Sequence, residues 1–279
     1  MIQTNKSLDE RVRYLREKAR EVRYHIIDMI YTAQSGHPGG ALSATEIMTA
    51  LYFDLARIDP SRPRWTDRDR IILSKGHACP VWYACLALRG YFPLEELKTL
   101  RQFESTLQGH PDKLKTPGID MTTGSLGQGL SLGVGMALEA RLTKKDYTVY
   151  VVLGDGELGE GQNWEAAASA AKYKLGNLIA IVDRNRLQMD GLTADVMPME
   201  PIDKKFEAFG WQAKRIDGHN LKEVLTSIEE AKAVQNKPVC IIAETVKGKG
   251  VSFMENIRVW HGKPPDNEQY DQAIREIME

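Results

Sequence analysis

Apolar residues return along this chain in two distinct rhythms. Leu8, Val12, Leu15, Ala19, Val22, Ile26 and Met29 recur at alternating spacings of four and three, with Asp, Glu, Lys and Arg between them. That spacing draws one apolar stripe along a long amphipathic helix, and His25 sits in it as a structural residue. Comparable patterns predict helices at about 42–55, 81–88, 126–142, 162–174, 202–209 and 221–234. The second rhythm is short, continuous and β-rich. It runs "RIILSKG" from Arg70, "TVYVVLGD" from Thr148, "NLIAIVDRN" from Asn177 and "VCIIAETVKG" from Val239, with a weaker "GWQAKRID" from Gly210. Runs without polar alternation suit parallel strands covered on both faces.

Strands alternating with helices predict an α/β fold, a doubly wound, mostly parallel sheet flanked by helices. No repeat, low-complexity tract or linker interrupts the pattern, so residues 1–279 read as one domain. From about residue 257 the chain becomes polar and proline-containing, which reads as an extension wrapping the surface.

Charge and composition remove several classes of function. The 37 Lys and Arg against 38 Asp and Glu leave a formal charge of −1, so no electrostatic footprint for nucleic acid or an anionic membrane exists. The first thirty residues are too charged for a signal peptide, and no apolar run is long enough to span a bilayer. The sequence therefore predicts a cytoplasmic protein. Cys79, Cys85 and Cys240 lie inside apolar segments without metal-ligand spacing and read as buried thiols.

Candidate chemistry gathers where the strands should stop. In an open parallel sheet, ligands bind beyond the carboxyl ends of the strands. Those ends carry Ser74-Lys75-Gly76-His77, Gly154-Asp155-Gly156, Arg184-Asn185-Arg186 and Thr245-Val246-Lys247-Gly248-Lys249-Gly250. Asp155 and Asn185 are thirty residues apart, the span of one βαβ unit, which puts them at neighbouring strand ends. Asp, Asn and a backbone carbonyl form a hard-oxygen set suited to Mg²⁺ or Ca²⁺. His37, His77, His110, His219 and His261 each adjoin a glycine, which allows close approach to a ligand beside an imidazole fit for proton transfer. His219, just before the helix from 221, reads instead as a turn and cap. In "TTGSLGQGLSLGVGMALEA", Gly124-Ser125-Leu126-Gly127 opens a helix, and Gly133 and Gly135 read as helix–helix packing positions.

These segments carry a resemblance. "GDGELGEGQNWE" followed by "NLIAIVDRNRLQMDG" is similar to the thiamin-diphosphate motif, which begins Gly-Asp-Gly and closes about thirty residues later at Asn. With "SGHPGGALSATEIMTALY", "DRIILSKGHACPVWYA", "TTGSLGQGLSLGVGMALEAR" and "WHGKP", the chain from about 8 to 265 resembles the N-terminal, diphosphate-binding domain of transketolase. The resemblance implies a thiamin-diphosphate-binding fold. It makes Asp155, Asn185 and the Leu187 carbonyl the ligands of Mg²⁺, with Ca²⁺ or Mn²⁺ as chemical substitutes. Gly156, Asn185, His77 and His261 would contact the diphosphate, and Gly124, Ser125 and Leu126 would line the aminopyrimidine. His37 and His110, with His77 and His261, would serve the ketose as hydrogen-bonding and proton-transfer groups, while Glu160 and Glu165 would lie at a subunit interface. Ser125 and Lys263 depart from the family, which more often has proline and a small residue there.

In transketolases the glutamate that protonates the pyrimidine lies in a second, pyrimidine-binding domain, which this sequence does not include. The expectation is therefore the N-terminal subunit of a split transketolase, paired as α₂β₂ with a separate C-terminal subunit. It would move a two-carbon ketol unit from a ketose phosphate to an aldose in pentose phosphate metabolism. Two alternatives stay open. One is another thiamin-diphosphate subunit, of a 2-oxo-acid dehydrogenase α or deoxyxylulose-phosphate-synthase type; the other is a non-catalytic nucleotide-binding module.

Overall fold

The computed structural model describes residues 6–279, and its centre is one parallel sheet. Five strands, β1 (Arg70–Leu73), β2 (Val149–Gly154), β3 (Leu178–Arg184), β4 (Gln212–Asp217) and β5 (Val239–Glu244), stand in the order β1-β2-β3-β5-β4. All four pairings are parallel. The helices are α1 (Leu8–Ala33), α2 (Pro38–Ser43), α3 (Thr45–Ala50), α4 (Cys79–Arg89), α5 (Gln128–Leu142), α6 (Gly161–Lys172), α7 (Thr193–Val196), α8 (Ile202–Ala208), α9 (Leu221–Ala233) and α10 (Asn267–Met278).

The unbroken apolar runs are explained by burial on both sides. Tyr150, Val152, Ile179, Ile181 and Ile241 face a core built with α1, α3, α4 and α9. Their neighbours Val149, Val151, Leu153, Ala180, Val182 and Ile242 face a second core built with α5, α6 and α8. Strand side chains alternate between faces, so a sheet covered twice needs apolar residues at every position.

Local signals account for the starts of the first and last helices. Ser7 and Glu10 form a capping box that starts α1, whose stripe buries Leu15, Ala19, Val22, Ile26 and Met29. Asp266 and Gln269 form another at α10, which packs along α1 through buried Ala273 and Ile277 and the stacked Tyr31 and Tyr270 rings. All three cysteines are buried free thiols. Among the described residues, no helix is long and apolar enough to cross a membrane.

Two details differ from the sequence reading. The helix predicted at 42–55 is broken at Ala44 into α2 and α3 and ends in a π-helical turn, Leu51–Leu55. Ser43 bonds back to the Gly40 carbonyl and Thr45 to the Ala41 carbonyl, competing with the regular ladder at the break. Gly133 packs not on a helix but on the sheet, where a Cβ would lie 2.5 Å from Val151 Cγ2, and Gly135 faces open space.

Candidate functional site

The carboxyl ends of β2, β3 and β5, with the turn after β1, meet at one edge of the sheet. Asp155 follows β2 and is buried; its oxygens accept from the Gly156 N–H (3.0 Å), the Arg186 N–H (2.8 Å) and the Thr193 hydroxyl (3.4 Å). Asn185 follows β3, is also buried, and accepts the Leu187 N–H on Oδ1 at 3.1 Å. The Leu187 carbonyl accepts from Lys247 Nζ at 2.9 Å, and the same ammonium lies 2.8 Å from His261 Nδ1. The three atoms expected to hold a cation are thus carried by adjoining strand-end loops.

Beneath them lies a fully buried ion pair between Lys75 and Asp183. Asp183 also accepts from Ser43, Thr245 and Asn185, and Lys75 donates to the Gly40 carbonyl at 2.8 Å. This pair ties the β1 turn, α2 and the end of β3 together. Close backbone approach at two glycines completes the packing. A Cβ on Gly39 would meet the Trp260 carbonyl at 2.8 Å and Lys247 Cγ at 3.0 Å; one on Gly76 would meet the Thr123 carbonyl carbon at 2.7 Å.

Three histidines converge here from distant parts of the chain. The ring centroids of His77 and His261 are 5.1 Å apart, of His37 and His77 5.3 Å, and of His37 and His261 5.5 Å. Burial, then neighbouring cations, pushes His37 and His261 down to about 4 and His77 well below its usual value, so all three are neutral near pH 7. His110 keeps much of its surface in solvent, with its ring against the backbone of Gly124; partial desolvation, then Arg101, lowers it too. Ser125 and Leu126 are exposed on the same loop, which leads into α5. Lys263 reaches back over the Trp260 ring, 5.0 Å from its centroid.

Glu160 and Glu165, on either side of the start of α6, are exposed on this chain. Glu157 behaves differently. It is buried, bonds the Ser74 hydroxyl, and accepts the Gly127 N–H (2.9 Å) and Gly154 N–H (3.0 Å), joining three loops of the site.

Sequence reasoning assigned no role to Asp183 or Glu157, and named Lys75 and Lys247 only as strand-end residues, without a partner. A signal existed for Asp183, a carboxylate inside the apolar strand "LIAIVDR", because a buried charge needs a partner. Nothing local identified that partner as Lys75, 108 residues away.

The residues present fit a hard cation and a diphosphate. Burial, then Asp183, pushes the Asp155 carboxyl up to about 6, and among the described residues no cationic side chain forms an ion pair with it. A bound cation would relieve that carboxylate. Gln188 Oε1 is buried without a hydrogen-bond partner and lies beside Gly156, leaving an acceptor for a further group. Lys247, pushed down to about 8 by burial and Lys75, supplies positive charge for an anion.

Fold and site together define an α/β domain whose strand ends carry groups suited to a hard cation and a diphosphate. The family model "Transketolase, thiamine diphosphate binding domain" matches residues 15–277. The chain belongs to the transketolase family. It is 46% identical to the 6-deoxy-6-sulfo-D-fructose transketolase subunit of Clostridium sp., over 94% of this chain and 96% of that protein. It is 45% identical to an apulose-4-phosphate transketolase subunit of Phocaeicola vulgatus, over 92% and 91% respectively. The solved transketolase of Campylobacter jejuni superposes with a TM-score of 0.90 at 36% identity, covering 95% of this chain and 42% of that one. The chain thus spans less than half of that solved transketolase.

Proposed function

We propose that this chain is the cofactor-binding subunit of a two-part transketolase, with residues 1–279 acting as one domain. The observation that carries the reading is the meeting of Asp155, Asn185, the Leu187 carbonyl and Lys247 at one edge, beside three neutral histidines. Asp155, Asn185 and the Leu187 carbonyl would hold Mg²⁺ in a partly hydrated, hard-oxygen site. The Gly156 N–H, His77, His261 and Lys247 would hold the diphosphate, and Gly124, Ser125 and Leu126 would line the aminopyrimidine.

When bound, thiamin diphosphate supplies the electron sink needed to break a carbon–carbon bond next to a ketose carbonyl. The chain's own residues bind and orient around it. His37, His77, His110 and His261 would meet the hydroxyls of a sugar phosphate, and their neutral rings can both accept and donate hydrogen bonds. Glu160 and Glu165 would face a partner subunit carrying the pyrimidine-binding half, in an α₂β₂ assembly. The names of two relatives, each a transketolase subunit, support a separate partner. They also mark modified ketoses and ketose phosphates as the substrate class to test first, alongside those of pentose phosphate metabolism in the cytoplasm. Family membership favours ketol transfer over 2-oxo-acid chemistry or a purely nucleotide-binding role.

The test is reconstitution. The chain is mixed with a candidate pyrimidine-binding subunit, Mg²⁺ and thiamin diphosphate, and ketol transfer from xylulose 5-phosphate is followed. Transfer that requires both chains is the expected result; robust transfer by this chain alone would refute the two-part reading.

A further inference from the structure

The loop after β5 brings Lys247 to the site, and a second set of polar groups holds that loop from behind. His219, after β4, accepts the Val246 N–H on Nε2 at 2.8 Å, while its Nδ1 lies 2.9 Å from Glu46 Oε2. An acceptor at Nε2 requires the tautomer with its proton on Nδ1, and Glu46 receives that proton's hydrogen bond. Glu46, on α3, is buried, and Arg23 Nη2 of α1 donates to both of its oxygens at 2.6 and 2.8 Å. Arg23 Nε donates in turn to the Lys249 carbonyl at 3.1 Å. Val246 and Lys249 flank Lys247. The array Arg23–Glu46–His219 therefore grips the loop on both sides of the lysine without contacting Asp155, Asn185 or His77.

We propose that Glu46 and His219 are positioning residues for the cofactor site, setting where Lys247 presents its ammonium to an anionic ligand and to His261. The proposal rests on reading this edge as the diphosphate site. A buried lysine stem has few rotamers open to it, so the backbone at 246–249 decides where Nζ stands. With the Val246 N–H released, Nζ would lose its alignment between the Leu187 carbonyl and His261.

The experiment uses the full chain and two variants, His219→Phe and His219→Gln; the glutamine keeps an acceptor oxygen for the Val246 N–H. Amide hydrogen exchange over 245–250 and calorimetric titration with Mg²⁺–thiamin diphosphate are measured on each. His219→Phe is expected to speed exchange in that segment and weaken binding about tenfold, the effect of leaving one polar group unpaired. His219→Gln should stay close to the parent in both measurements. In a Lys247→Met background, His219→Phe should add no further loss of binding, because the two act in series. Where phenylalanine disturbs folding, His219→Ala takes its place. Unchanged exchange, or a binding loss that persists in full without Lys247, would overturn the proposal. A parent chain that takes up no thiamin diphosphate, alone or with its partner, would instead remove the site reading and this role with it.

Discussion

Lys75→Met probes the buried centre of the site. The Lys75 side chain is 3% exposed and that of its partner Asp183 0%. Asp183 keeps bonds from Ser43, Thr245 and Asn185, but those donors are neutral. Burial drives the Asp183 carboxyl up; the Lys75 charge and the hydrogen bonds outweigh burial and hold it below its ordinary value. Methionine fills the lysine's volume without its charge, so the variant strands a carboxylate in the core. Removing one partner of a buried pair costs about 3–5 kcal/mol. At an unfolding entropy of about 2.1 cal/mol/K per residue, a 279-residue chain should then melt about 5–9 °C earlier. Adding Asp183→Asn removes the stranded charge and should recover much of the loss. The assay is urea and thermal unfolding of the parent, both single variants and the double variant near neutral pH. A loss under about 1 kcal/mol, or simple additivity of the two substitutions, would refute the reasoning.

Asp155→Ala should abolish the rise in melting temperature that Mg²⁺ with thiamin diphosphate gives the parent, a rise worth about 2.7 kcal/mol at a hundredfold excess over Kd. Because the Asp155 carboxyl titrates at about 6 and only its ionised form binds a cation, Mg²⁺ affinity should increase as pH is raised through that value, by calorimetry at several pH values. Gly76→Ala places a Cβ 2.7 Å from Thr123 backbone; it should cost about 1–3 kcal/mol by overpacking and weaken cofactor binding by displacing the Gly124 loop. His37 and His261 have folded pKa values near 4, below the ordinary 6.5, so the folded chain binds fewer protons between those values. Their contribution to stability is full above about pH 6.5 and is lost as pH falls towards 4, so His37→Phe with His261→Phe should flatten the melting-temperature slope across that window. Glu160→Ala with Glu165→Ala should leave the melting of the isolated chain unchanged and weaken association with the partner, measured by sedimentation.

The local patterns were enough for the architecture. Continuous apolar runs specify strands buried on both faces, and the stripe from Leu8 to Met29 specifies α1, because burial periodicity is written into neighbouring residues. The thirty-residue spacing of Asp155 and Asn185 placed them at adjacent strand ends for the same reason: a crossover between parallel neighbours has a characteristic length. Glycine beside histidine flagged His37, His77 and His261, yet their rings meet only because α2, the β1 turn and the segment before α10 fold onto one edge. Lys75 with Asp183, Glu157 under three loops, and His219 behind Lys247 were decided by tertiary structure alone. Each is a polar group whose partner lies far away in sequence. Periodicity reports which face of an element is buried, but the identity of the group waiting there depends on how the elements pack.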